Sequence, residues 1–215
     1  MVEPPSRSTL LKILKLAPAA KAHELRAINS TLEACKQAFA RLQEIVSKLI
    51  PIGVLKGHFT RGQFESLVSY LHTAERYYRN AFVYNLQEHS NIRSHCVTFS
   101  LSDPKTKMFA KKCMESDHME KCENCQILPD SIQILRNIVE VLYNNKDLTN
   151  FDFNEYVYDI HDAHVKINDY IRHMLRNHQS NNYWKAMMDR QIDGDVFVIF
   201  DFAMKFLPRV NFFTF

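Results

Sequence analysis

Four side chains able to hold a metal fall within Cys113-x4-His118-x3-Cys122-x2-Cys125, in a chain with five cysteines altogether. Two thiolates separated by two residues can grip one ion in a tetrahedral shell. A His and a Cys a few residues upstream can complete a closed Cys3His set. The spacing therefore predicts a structural zinc site with Cys113, His118, Cys122 and Cys125 as ligands. His95 and Cys96, about one loop upstream, are alternates for one position, and His89 is a weaker substitute. Spacing leaves the choice among His95, Cys96 and His118 open.

The rival uses of these residues fit less well. A disulfide framework suits a small secreted domain, whereas 215 residues can bury a core without staples and no secretory leader is expected here. A redox Cys-x-x-Cys calls for an apolar strand-to-helix turn, but the cluster follows Lys111-Lys112 and a polar stretch. Catalytic zinc requires an open coordination position, and four strong ligands argue for a closed one. Cys35 lies on an apolar helical stripe and reads as core. His161 and His164, at i and i+3 on a predicted helix, lack a third ligand and read as packing and surface polarity.

The elements that must position the cluster are helical. Hydrophobic residues make up 46% of the chain, while 4 glycines and 7 prolines are too few for a glycine-turned β-sandwich or a disordered chain. Leu25, Ile28, Leu32, Cys35, Phe39, Leu42, Ile45 and Leu49 recur at spacings of three and four, predicting a long amphipathic helix from about Ala20 to Ile50, ended by Pro51 and Gly53. A second helix runs from Thr60 or Arg61 to about Glu88 on Phe64, Leu67, Val68, Leu71, Tyr78 and Phe82. The segment Asn91 to Glu120 loses the period, and residues 91–128 read as a lobe, irregular there, that is ordered by metal. A third helix starts with Asp130 as N-cap and Gln133 closing a capping box, and ends near Tyr143. A fourth begins near Phe153 and buries Tyr156, Val157, Ile160, His164, Ile167, Ile171, Met174 and Leu175. After Asp193-Gly194, the run from Asp195 to Phe202 is β-branched and aromatic and reads as a buried strand. The fold class is mainly α. The expected divisions are an N-terminal segment 1–19, helical regions 20–90 and 129–190 flanking the zinc lobe 91–128, and a strand-bearing segment 191–215.

Asp201, at the end of that strand, must be solvated, paired, for instance with Lys205, or bound to a cation. Together with Ser94-His95-Cys96, Phe99-Ser100-Leu101-Ser102-Asp103 and the Cys/His cluster, the stretch Asp201-Phe202-Ala203-Met204-Lys205-Phe206-Leu207-Pro208 resembles a set of large transposon-derived, transposase-like proteins. The resemblance covers about residues 60–209. It implies that Asp201 opens a ribonuclease H-like core in which two Mg2+ or Mn2+ ions, held by several carboxylates, drive phosphodiester cleavage or strand transfer. Asp201 would be catalytic only in such a complete core. The chain ends at Phe215 without the later acidic strands, and Val210 to Phe215 departs from the charged continuation of the relatives. The expectation is a truncated core without nuclease activity, to be overturned by metal-dependent cleavage lost in Asp201→Ala.

Charge assigns no partner by itself, at 27 basic against 24 acidic residues. Lys105, Lys107, Lys111, Lys112 and Lys121 could meet DNA phosphates, but Asp103, Glu115, Asp117, Glu120 and Glu123 dilute their field. The expected function is a zinc-binding, transposase-derived fragment that binds DNA or a protein. The alternative is a helical interaction scaffold, self-associating or partner-binding, without a nucleic-acid role. The Leu10 to Leu16 run is too short and too broken by lysines for a membrane span. The expected location is intracellular, nuclear rather than cytoplasmic.

Overall fold

The computed structural model describes residues 18–102, 105, 113 and 118–190, apart from the side chains of residues 18–29, 184, 187 and 188. The chain divides into one unit of residues 31–189 and another formed by residues 1–30 and 190–215. Of the second unit, only the helical residues 18–30 and Arg190 are described. The expected strand from Asp195 to Phe202, with Asp201, lies outside the described residues. Those described are mainly α, with five helices and no strand.

Helix α1 spans Pro18–Leu55. Its inner stripe, Cys35, Ala38, Phe39, Leu42, Ile45, Val46 and Leu49, is at most 3% exposed. That spacing carries the packing. Pro51 and Gly53 do not end the helix as the sequence suggested. Proline's fixed φ suits a helix, and its lost hydrogen bond is tolerable where Ile50 and Ile52 still pack on the core. Gly53 permits close approach instead: a Cβ there would lie 2.9 Å from Phe64 Cζ. Termination comes at Gly57, whose φ is +73°. Gly57 N–H donates to Val54 O at 3.1 Å and His58 N–H to Gly53 O at 3.1 Å, the paired bonds of a Schellman closure.

Helix α2, Arg61–Asn80, starts where the sequence places it, with Thr60 and Gln63 forming a capping box. It stops short of the expected Glu88. A 3-10 turn over Phe82–Asn85 follows and buries Phe82. Helix α3 is the single turn Val97–Ser100. Helix α4 runs over Glu123–Asn144 with Pro129 inside it. Its start corrects the predicted N-cap at Asp130: that carboxylate instead accepts from Gln126 Nε2 at 2.9 Å, and Gln133 turns to Asn137. Helix α5, Asn150–Asp189, begins at a reciprocal cap in which Asp152 N–H donates to Thr149 Oγ1 and Thr149 N–H to the Asp152 carboxylate.

The helices pack as α2 on α4 and α4 on α5. Arg41 of α1 reaches α5, its Nε 3.0 Å from Asp159 Oδ2, and Gln43 reaches His72 of α2. Burial selects Ile160, Ala163, Ile167, Tyr170, Met174 and Leu175 as the inner face of α5, whereas Val157, expected inside, is 41% exposed. At one end of the bundle, His58 Nε2 lies 2.7 Å and Lys56 Nζ 3.4 Å from the buried Asp147 carboxylate. This ties the α1–α2 turn to the α4–α5 turn. The segment between α2 and α4 carries His95, Cys96, Cys113, His118 and Cys122, and Cys125 follows in the first turn of α4.

Candidate metal centre

Backbone pairing brings His95 and Cys96 to the bundle. Gln87 N–H donates to His95 O at 3.0 Å and Val97 N–H to Gln87 O at 2.9 Å, making a bridge between Gln87 and Cys96. A second bridge joins Ile92 to Glu120, which brings the chain around His118 back to the same segment. Because Cys96 is extended, the side chains of His95 and Cys96 leave the backbone on different sides. They serve different clusters.

In the first, the ligand atoms of His95, Cys122 and Cys125 all lie within 4.8 Å of one another. Cys125 Sγ is 3.3 Å from His95 Nε2. Helix α4 positions both thiols, since Cys122 is its N-cap and Cys125 sits in its first turn. Unpaired N–H groups and the helix dipole favour negative sulfur there. Burial pushes the Cys122 thiol up, but hydrogen bonds from the Cys125 backbone and the Tyr77 hydroxyl outweigh it and bring the thiol below its ordinary range. Cys125, more deeply placed, is raised by burial. Burial also lowers His95, favouring the neutral imidazole that a metal takes. Tyr77 Oη stands among all three, 3.0 Å from His95 Nε2, 3.3 Å from Cys125 Sγ and 3.6 Å from Cys122 Sγ.

The second cluster contains Cys96, Cys113 and His118, again with ligand atoms within 4.8 Å of one another. Cys96 Sγ lies 3.2 Å from Cys113 Sγ and accepts from Phe99 N–H at 3.4 Å. His89 Nδ1 approaches Cys113 Sγ to 3.3 Å. Phe99 covers His118, with ring centroids 4.4 Å apart, and Arg93 lies over the Phe99 ring. His118 has a φ of +39°, in the left-handed region that a non-glycine residue enters at a cost of order 1 kcal/mol. Its Nε2 is buried without a hydrogen-bond partner. A buried, unpaired imidazole nitrogen beside two thiols fits a bound cation, which would supply the missing partner. Both donor sets are the soft sulfur and nitrogen mixture that zinc takes.

All six Cys and His residues singled out as ligands or alternates are thus gathered, but in two threes. Cys113 and His118 join Cys96, while Cys122 and Cys125 join His95. Sequence reading missed Tyr77, because a tyrosine on an amphipathic helix carries no ligand signal and reads as core. His161 is exposed and His164 half-buried on α5, and no metal cluster includes either among the described residues. Cys35 is fully buried, and burial raises its thiol to about 12. No helix among the described residues is long and apolar enough to cross a membrane.

No protein-family model, curated protein or solved structure matches the chain.

Proposed function

We propose that this chain is a zinc-dependent helical module of a transposase-like protein, whose metal is structural and whose task is binding, to DNA in the first instance. The observation that carries the metal reading is His118, grouped with Cys96 and Cys113, whose Nε2 is buried without a hydrogen-bond partner. Zinc would be held by His95, Cys122 and Cys125 in one site and by Cys96, Cys113 and His118 in the other. There it would supply cross-links that fix the connector between α2 and α4. The transposase-like reading rests on the sequence resemblance, which spans both clusters and the Asp201 to Pro208 motif. The DNA reading adds Lys105 and Lys121, which flank the clusters, as phosphate contacts.

Metal analysis of the purified protein tests the first part, with zinc expected at more than one equivalent per chain. A chain free of zinc after purification, and unable to take it up, removes the reading. Titration against duplex DNA tests the second, with affinity expected to fall steeply with salt. An absent or salt-insensitive shift would leave the helical interaction scaffold as the function.

A further inference from the structure

The His95, Cys122 and Cys125 cluster poses a chemical choice that its three ligands do not settle. A zinc ion held by one His and two Cys has an open fourth position, and an open position is where catalytic zinc binds water or substrate. A cleft of about 640 Å³ borders Cys122 and Cys125 and is also lined by Glu120, the kind of carboxylate a hydrolytic site would use. Whether the fourth corner is open therefore separates a structural centre from a reactive one.

Tyr77 stands at that corner. Zinc bonds of about 2.3 Å to sulfur and about 2.0–2.1 Å to nitrogen or oxygen set donor-to-donor edges of roughly 3.3–3.8 Å in a tetrahedron. The edges from Tyr77 Oη to Cys125 Sγ and Cys122 Sγ are 3.3 and 3.6 Å, and the edge from Cys125 Sγ to His95 Nε2 is 3.3 Å; the 3.0 Å from Tyr77 Oη to His95 Nε2 is shorter than that range and must open by a few tenths of an ångström around an ion. A hydroxyl has one donor and two acceptor sites, so with Asn85 Nδ2 also at 3.2 Å it cannot pair fully with all four of these neighbours by hydrogen bonding alone. Asn85 Nδ2 donates to the same oxygen at 3.2 Å, orienting it from behind as outer hydrogen bonds orient metal ligands. The ring is 7% exposed and held edge-on between Tyr78 and Phe82, so the oxygen cannot swing away without opening the core.

We propose that Tyr77 Oη is the fourth ligand of the His95, Cys122 and Cys125 metal site and closes it to exogenous ligands. This rests on the reading that the cluster binds zinc. The closed shell makes the site a cross-link from α2 to the start of α4, and it keeps Glu120 from sharing a metal-bound water.

The test replaces zinc with Co2+ in the full chain and compares wild type with Tyr77→Phe, using azide as the added ligand. Tyr77→Phe is expected to bind metal at this site on the order of 10-fold more weakly. It should also alter the cobalt ligand-field band of one bound equivalent and gain an azide response that wild type lacks at that equivalent. Identical bands and identical azide responses in the two proteins would overturn the proposal. Weaker binding with an unchanged band and azide response would also overturn it, because Tyr77 would then act only by hydrogen bonding. Should Tyr77→Phe fail to fold, Asn85→Ala must show a smaller change of the same kind, and no change there would refute the ligand role. A wild-type chain that takes up no Co2+ or Zn2+ would instead defeat the zinc reading itself, and this proposal with it.

Discussion

The helical bundle and the connector between α2 and α4 are ordered by different forces, although they share one compact unit. In the bundle, Phe39, Leu42, Ile45, Leu49, Leu71, Leu135, Leu142 and Ile160 are all fully buried, and their stripes at helical spacing are sufficient to dock the helices. Among the connector's described residues, the buried set is small and half of it is His or Cys: Phe82, Leu86, His95, Cys96, Val97 and His118. Two backbone bridges, one 3-10 turn and one α-helical turn are its regular structure among the described residues. Apolar burial on that scale does not offset the conformational entropy of ordering such a segment, at roughly 1–2 kcal/mol per residue. Metal ligation, on the reading proposed above, would. The comparison predicts that the connector can be unfolded without the bundle, and that the bundle can be weakened without loss of the metal.

The most drastic break is removal of the metal. Cys125→Ser, or exhaustive chelation of the wild-type chain, should release zinc and forfeit a cross-link whose apparent contribution in small zinc domains is of order 10 kcal/mol. Amide exchange across residues 86–102 and 118–121 should become fast while the far-ultraviolet helix signal largely persists. Loss of the whole helix signal in one transition would show that the two regions fold as one. The converse experiment is Leu135→Ala, at a fully buried site on α4. It should lower global stability by about 2–5 kcal/mol, measured by urea unfolding, yet leave zinc stoichiometry in the folded protein unchanged.

Gly53→Ala sharpens the account of the bundle. On helix propensity alone the substitution should stabilise by about 1 kcal/mol. The new Cβ would, however, meet Phe64 Cζ at 2.9 Å and Phe59 Cδ2 at 3.3 Å, and Phe64 is fully buried with little room to withdraw. Overpacking costs about 1–3 kcal/mol, so a small net destabilisation is expected. A higher melting temperature would show that Gly53 serves as a poor helix residue and not as a point of close approach.

Much of this comparison was legible in the sequence, and what was hidden has a physical pattern. The stripe from Cys35 to Leu49 and the cap at Thr60 are local features, and local chemistry carries them into the structure. The six clustered Cys and His residues were equally visible. Their partition into two threes was not, because spacing along the chain cannot show that the Gln87 to Cys96 and Ile92 to Glu120 bridges deliver adjacent residues to different clusters. The start of α4 misled for a related reason. Pro129-Asp130 has the chemistry of a helix beginning, but Cys122 holds the N-cap about two turns earlier, where the thiols are brought together with His95.

That earlier start creates a defect whose repair can be measured. A proline inside a helix leaves the carbonyl four residues before it without its usual donor, which for Pro129 is Cys125 O. Tyr78 Oη donates to that carbonyl at 3.2 Å. The bundle, through α2, thus satisfies a backbone group left open at the end of α4 that carries Cys122 and Cys125. Tyr78→Phe should cost about 1–2 kcal/mol by leaving the buried acceptor unpaired. Pro129→Ala restores an N–H able to make the helical bond, so Tyr78→Phe in that background should cost distinctly less. A double-mutant cycle with a coupling of about 1 kcal/mol is expected, read from urea midpoints at constant m-value. Additive costs would mean that Tyr78 contributes through packing against Phe82 alone, and that the proline defect is tolerated rather than repaired.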